Sequence, residues 1–267
     1  MANGVVKAKS FAAGVAVVCL VLLVPVQMKI DSLRSQLTQE NIMPTQLPLS
    51  AAASAALGGF RGLAVDILWI QSDNMINEKQ FYQLMTYYKI IAMLQPNFTS
   101  VWTYNAWNLS YNIAAEWGQP DEKWLWIKKG IEFASEGLIY NPDSEDLNIW
   151  VGWLYFNKVG KDPYFAAKLE EETGVEPFLE SYRYFNKAYE VGLARGVTDV
   201  RYGNLCMLAL VEHADAVLKR RGNVAEAMEF YDRAETGSEL LAIQFPDDAG
   251  VLTLLSRIKQ TKARFGR

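Results

Sequence analysis

The stretch FYQLMTYYKIIAMLQPNF, residues 81–98, decides the fold class. Phe81, Leu84, Tyr88, Ile91 and Leu94 recur at spacings of three and four, so they share one side of an α-helix. Pro96 closes it, because proline lacks the N–H a helix interior needs and clashes with the turn before it. This proline-closed end, AMLQPNFTS (92–100), has counterparts in LIYNPDSED (138–146) and AIQFPDDAG (242–250), closed by Pro142 and Pro246. Pro142 lies 46 residues after Pro96, and Pro246 lies 104 after Pro142, or about two units of 52. From Ser50 onward there is no useful period-2 pattern and no Asn-Gly hairpin signal. An all-α chain of recurring helix pairs is expected.

Composition limits what such a chain does. Of 267 residues, 51% are hydrophobic and 21% charged, which excludes a disordered or collagen-like chain. Residues 1–30 hold Lys7, Lys9 and Lys29 and no acid. The remaining residues therefore carry 23 basic and 30 acidic side chains, a net of −7. An acidic body without clustered Lys and Arg is a poor nucleic-acid binder, so no nucleic-acid partner is expected. One histidine and two cysteines leave no ligand set for a metal or haem, and no metal or cofactor is expected.

The N-terminus reads as a membrane anchor. FAAGVAVVCLVLLVPV (11–26) lies inside an uncharged span from Ser10 to Met28, 19 residues, close to the roughly 20 that cross a bilayer. Lys7, Lys9 and the α-amino group precede it, which predicts a cytoplasmic N-terminus and an extracytoplasmic body. PVQMKID, after the apolar stretch, has no A-x-A-like cleavage pattern, so a retained anchor is expected. With Cys19 in the bilayer and Cys206 in the body, no intrachain disulfide follows. The expected organisation is a cytoplasmic stub and transmembrane helix over 1–28, a stalk and linker over 29–49, and a helical-repeat domain over 50–267.

RGNVAEAMEFYDRAE, from Arg221, resembles the second half of a tetratricopeptide repeat (TPR), with Gly222, Ala227, Tyr231 and Ala234 at the turn, small and aromatic positions. Trp102, Ala106 and Leu109 fit after Pro96, and Gly152 and Tyr155 fit after Pro142. Leu68, Met75, Leu84 and Tyr88 fit in the unit before, where Ser72 and Ile91 occupy the small positions. The family unit is about 34 residues, and these units are longer. Insertions are read around WGQPDEKW and over 161–176, and the second helix of the last unit is lengthened. A final helix with Val251, Leu254, Leu255 and Ile258 caps the array, its basic end a solvated face or an anion site. ALGGFRGLAVDILWIQ (56–71) is similar to a block of membrane-anchored bacterial TPR proteins without a defined activity, with Gly58, Gly59, Arg61, Gly62 and Asp66 read as a clamp or a partner contact.

The resemblance implies a right-handed superhelix whose first helices line a concave groove. Carried over by spacing, the lining positions are Trp69, Asp73 and Asn77, then Thr103, Trp107, Ser110 and Tyr111, then Ile149, Trp153 and Asn157, and finally Glu212, Lys219 and Arg220. This mixture suits an extended or helical segment of a protein partner. All eight tryptophans fall between 69 and 153, and Trp124 and Trp126 are read as facing different sides of a helix, one of them outside the core. His213 is read as structural, and Glu170, Glu171, Glu172 and Glu176 as a solvated loop rather than an acid/base pair. No G-x-S-x-G elbow is present. The reading is a non-enzymatic, membrane-anchored scaffold for a protein partner, with a homo- or hetero-oligomer compatible with it. A structural subunit of a larger membrane-associated enzyme complex or filament is the alternative, and an enzyme acting on envelope polymers with cleft carboxylates is the third.

Overall fold

The computed structural model describes residues 25, 28–29, 60–197 and 199–265. The described chain is helical and contains no strand, as the spacing of apolar residues predicts. The expected transmembrane stretch (10–28), the linker (29–49) and the glycines at 58 and 59 lie outside the described residues, save for Pro25, Met28 and Lys29, which are helical. Among the described residues no helix is long and apolar enough to cross a membrane.

The chain divides into two compact units, Met1–Pro96 and Asn97–Arg267. In the first, α1 (Arg61–Asn77) packs on α2 (Phe81–Leu94). Phe81, Leu84, Tyr88, Ile91 and Leu94 of α2 are all buried, and Trp69 meets Tyr88 with ring centroids 6.1 Å apart.

The second unit contains α3 (Thr99–Trp107), α4 (Pro120–Tyr140), α5 (Glu145–Trp153), α6 (Pro163–Thr173), α7 (Pro177–Ala194), α8 (Val200–Arg221), α9 (Val224–Gln244) and α10 (Ala249–Phe265). Two of these run straight on into π-helical segments, α3 into Asn108–Ile113 and α5 into Leu154–Gly160. Helix α3 packs on α4, α5 on α7, α8 on α7 and α9, and α10 on α9. The connections α3–α4, α4–α5, α8–α9 and α9–α10 are short, which makes these neighbours antiparallel.

Local chemistry starts and stops the helices where the sequence has the right atoms. Ser144, Asp162, Glu176, Asp199 and Asn223 each cap a helix by accepting a backbone N–H. Pro120, Pro163 and Pro177 open helices, where a missing N–H costs nothing. Gly222 ends α8 with φ +63°, a left-handed conformation that costs glycine little, and α9 begins two residues later.

Small residues allow the helices to meet. A Cβ on Gly152 would sit 2.7 Å from the Phe185 ring, and one on Gly137 would sit 2.6 Å from Trp102. Ala227, Tyr231 and Ala234 are fully buried, in a cluster that also takes Leu210, Val217, Leu254 and Ile258. The helix expected over the end of the chain therefore buries Val251, Leu254 and Ile258, with Leu255 half-buried.

Two expected insertions change character. The residues after Pro120 in WGQPDEKW form the first turn of α4. The segment 161–176, read as an acidic loop, contains helix α6, capped by Asp162 and ended at Gly174 with φ +70°. Trp124 and Trp126 are both buried, at 3% and 0% exposure, so the expectation that one of them leaves the core fails. Helix α6 supplies the missing cover. Phe165 stacks on Trp124 with centroids 6.1 Å apart, and Glu172 accepts the Trp124 indole N–H at 2.9 Å.

Candidate partner-binding site

Helices α3 and α5 each end in a π-helical segment. A π turn holds an extra residue, turns side chains out of the α-helical register, and recurs at functional sites. Tyr111 lies in the first segment and Asn157 and Lys158 lie in the second. The Tyr111 hydroxyl donates to Asn157 Oδ1 at 3.0 Å, and the Trp153 side chain is near enough to favour the ionised phenol. Trp107 stacks on Tyr111, with centroids 6.4 Å apart and planes 24° apart. Lys158 Nζ sits 4.4 Å from the Tyr111 ring centroid, within cation–π range. Burial pushes the Tyr111 phenol above its ordinary range, against the opposing effect of the Trp153 side chain. Burial lowers the Lys158 ammonium, and the positive charge of Lys123 adds to the effect, while Asp162 opposes it.

Four of the residues expected to line a groove are thus brought together: Trp107, Tyr111, Trp153 and Asn157. Trp107, Tyr111 and Trp153 are half-buried, and Asn157 is exposed. Trp153 also stacks on Phe156 at 5.8 Å and packs, with Ile149, against the core around Phe178 and Phe185. Thr103 is half-buried, and its hydroxyl donates to the Ser100 carbonyl at 3.2 Å. Ser110 is a correction. It is fully buried opposite Gly130, where an added Cβ would lie 1.9 Å from Ser110 Oγ, so its side chain fills the space the glycine leaves and reaches no bound segment. Trp69 is half-buried on Tyr88, and Asp73 and Asn77 are exposed, all three in the first unit.

The expected charged end is occupied by partners within the chain. Glu212 pairs with Lys161 at 2.5 Å and with Arg257 at 3.3 Å, and Arg220 pairs with Glu170. Lys219 is exposed. The basic residues of α10 behave similarly: Lys259 pairs with Glu239 at 2.7 Å, Lys262 with Asp232 at 2.5 Å, and Arg257 with Asp215 at 2.5 Å. This favours the solvated capping face for that end over an anion site.

The carboxylates of α6 are paired too. Glu172 accepts from Trp124 and Lys128, which hold its carboxyl below the usual range. His213 is buried, with Nδ1 2.9 Å from Glu176 Oε2 and the Phe230 ring edge-on at 4.3 Å. Among the described residues no group of three or more His, Cys, Asp or Glu side chains could hold a metal ion. A hollow of about 800 Å³ lies elsewhere, between α4 and α7, and includes Ile139, Tyr184 and Lys187.

Sequence reasoning did not single out Lys123 or Lys158, nor α6 beside them. The helix was readable: Asp162–Pro163 is an N-cap followed by a first-turn proline, and Gly174 is a stop. The lysines had no such signal, because only folding brings α4 and the end of α5 together.

Comparison of the chain with family models, with curated proteins and with solved structures finds no match.

Proposed function

We propose that this protein is a single-pass, membrane-anchored scaffold whose TPR-like helix pairs form a right-handed superhelix holding a protein partner in a membrane or cell-envelope complex. Residues 10–28 cross the membrane, with Lys7 and Lys9 on the cytoplasmic side and the helical body on the other. The observation that carries the reading is the Trp107–Tyr111–Asn157–Trp153 cluster, in which the Tyr111–Asn157 hydrogen bond joins the π segments that follow α3 and α5 and Trp107 stacks on Tyr111. Its aromatics are held in place and partly open, the character of an anchor pocket for an extended or helical segment.

Affinity isolation of the full chain in mild detergent tests it. Trp107→Ala should cost about 2–4 kcal/mol of partner binding, the usual loss of a central aromatic anchor, with little change in melting. Trp153 has a second role in the core, so Trp153→Ala should lower stability as well as capture. Asp73→Ala should matter less. Full capture by Trp107→Ala at an unchanged melting temperature rejects this site.

One observation favours the second reading, a structural subunit of a larger assembly. Leu63, Ile67 and Ile70 follow each other at helical spacing on α1 and are 55%, 51% and 61% exposed. An uncovered apolar row of this kind marks a permanent contact surface. The body expressed without residues 1–49 would then self-associate, whereas the scaffold reading gives a soluble monomer.

A further inference from the structure

The carboxylates around the aromatic cluster are already committed, and the two lysines beside it are not. Asp162 caps α6 by accepting the Tyr164 and Phe165 N–H groups at 2.9 and 3.4 Å. Asp121 accepts the Tyr164 hydroxyl at 2.6 Å and pairs with Lys168 at 3.3 Å. Glu172 holds Trp124 and Lys128, and Glu212 holds Lys161 and Arg257. Lys158 and Lys123 have no carboxylate within ion-pair distance among the described residues, and the Lys123 charge is near enough to disfavour the Lys158 ammonium. Both are half-buried. Lys158 is steered over the Tyr111 ring, and Asn157, having spent Oδ1 on the Tyr111 hydroxyl, keeps its amide N–H donors for the outside.

This pair of half-buried cations, beside a hydrogen-bond donor and a stacked indole, has no carboxylate at ion-pair distance, and Asp162, the acid near enough to act on Lys158, is spent on the α6 cap. Resting on the groove reading above, we propose that the partner segment is acidic, and that one of its Asp or Glu carboxylates seats between Lys158 and Lys123, bonded by Asn157 Nδ2, while a neighbouring apolar side chain lies on Trp107. An acidic protein segment fits better than a nucleic acid. Two lysines serve one or two anions, whereas a nucleic-acid strand needs a track of them, and the surrounding body is net acidic.

The test is selection of a random peptide library on the full chain in detergent micelles, followed by affinity measurement on the selected peptides. The expected sequences are enriched in Asp or Glu next to an apolar residue and depend on Trp107. Lys123→Gln with Lys158→Gln should weaken them by about tenfold or more, because charge pairs at a partly desolvated site carry much of the binding. Lys123→Arg with Lys158→Arg should retain binding, which separates lost charge from lost fold. Trp107-dependent peptides without acidic enrichment overturn the inference and leave the groove intact. Acidic peptides indifferent to the glutamine pair overturn it likewise. A random-sequence oligonucleotide whose binding the same glutamine pair abolishes would reassign the lysines to phosphate. Absence of any Trp107-dependent peptide removes the groove reading itself, and this inference with it.

Discussion

Gly152 and Phe185 illustrate how closely the helices approach at the residue scale. The glycine leaves room for the ring, and a Cβ there would lie 2.7 Å from two of its carbons and 3.2 Å from the Ser181 carbonyl. Gly152→Leu should therefore destabilise the second unit by roughly 1–3 kcal/mol or more, the overpacking range, as read by denaturant unfolding. Ala227→Leu, at a fully buried position beside Tyr231 and Leu254, should do the same. Parent-like melting of both variants would show that these helices approach less closely. Cys206 gives an independent probe. It is 1% exposed, and burial pushes its thiol up to about 12. A folded value above the unfolded one adds stability that is complete below the unfolded pKa of about 8.5 and is lost as pH rises toward the folded one. Disulfide-exchange labelling near pH 8 should thus be slow in the native protein and fast in denaturant, and Cys206→Ala should reduce the alkaline loss of stability. Gly152, Ala227 and Tyr231 were legible in the sequence as small and aromatic positions, whereas Phe185, the ring that meets Gly152, was not. Ser110 was not, because its burial depends on the glycine across from it on another helix.

At the scale of elements, α6 decides more than its eleven residues suggest. It reaches Trp124 and Lys128 of α4 through Phe165 and Glu172, and Arg220 of α8 through Glu170. It turns the exposed side of Trp124 into interior. Asp162→Ala should cost about 1 kcal/mol by removing the cap, and hydrogen exchange should show faster opening over 163–173 with α9 unaffected. Acid should act the same way on Glu172. Its carboxyl is held below the ordinary 4.5, so its pairing contributes above the unfolded pKa and is lost as pH falls through the lower folded value. Protection of α6 should therefore decline as pH falls below about 4.5, and Glu172→Gln should reduce that dependence, the rest belonging to Asp121, whose carboxyl Tyr164 and Lys168 of α6 also hold low. Unchanged α6 exchange between pH 6 and pH 3 would separate Glu172 from the docking of this helix. The start and stop of α6 were written in the sequence. Its docking was not, because a short acidic amphipathic segment reads equally as a solvated loop until a tryptophan and a lysine on another helix meet it.

For the whole molecule, the scaffold proposal makes a topological prediction. A reporter fused at the C-terminus should score as extracytoplasmic, and Lys7→Glu with Lys9→Glu should weaken that orientation. A cytoplasmic C-terminus in the parent would remove the envelope reading. The sequence by itself determined the all-helical class, the proline-closed helix ends, several small positions and the final helix. These follow from local periodicity and backbone chemistry, which act over a few residues and are written in order along the chain. Tertiary structure alone decided which charges are already paired, which tryptophans are covered and which residues surround Tyr111. Arg220 meets Glu170 across 50 residues, Tyr111 meets Asn157 across 46, and Lys123 comes near Lys158 from another helix. Such encounters depend on how helices far apart in sequence cross and where each π turn shifts the register. No spacing along a single helix encodes that.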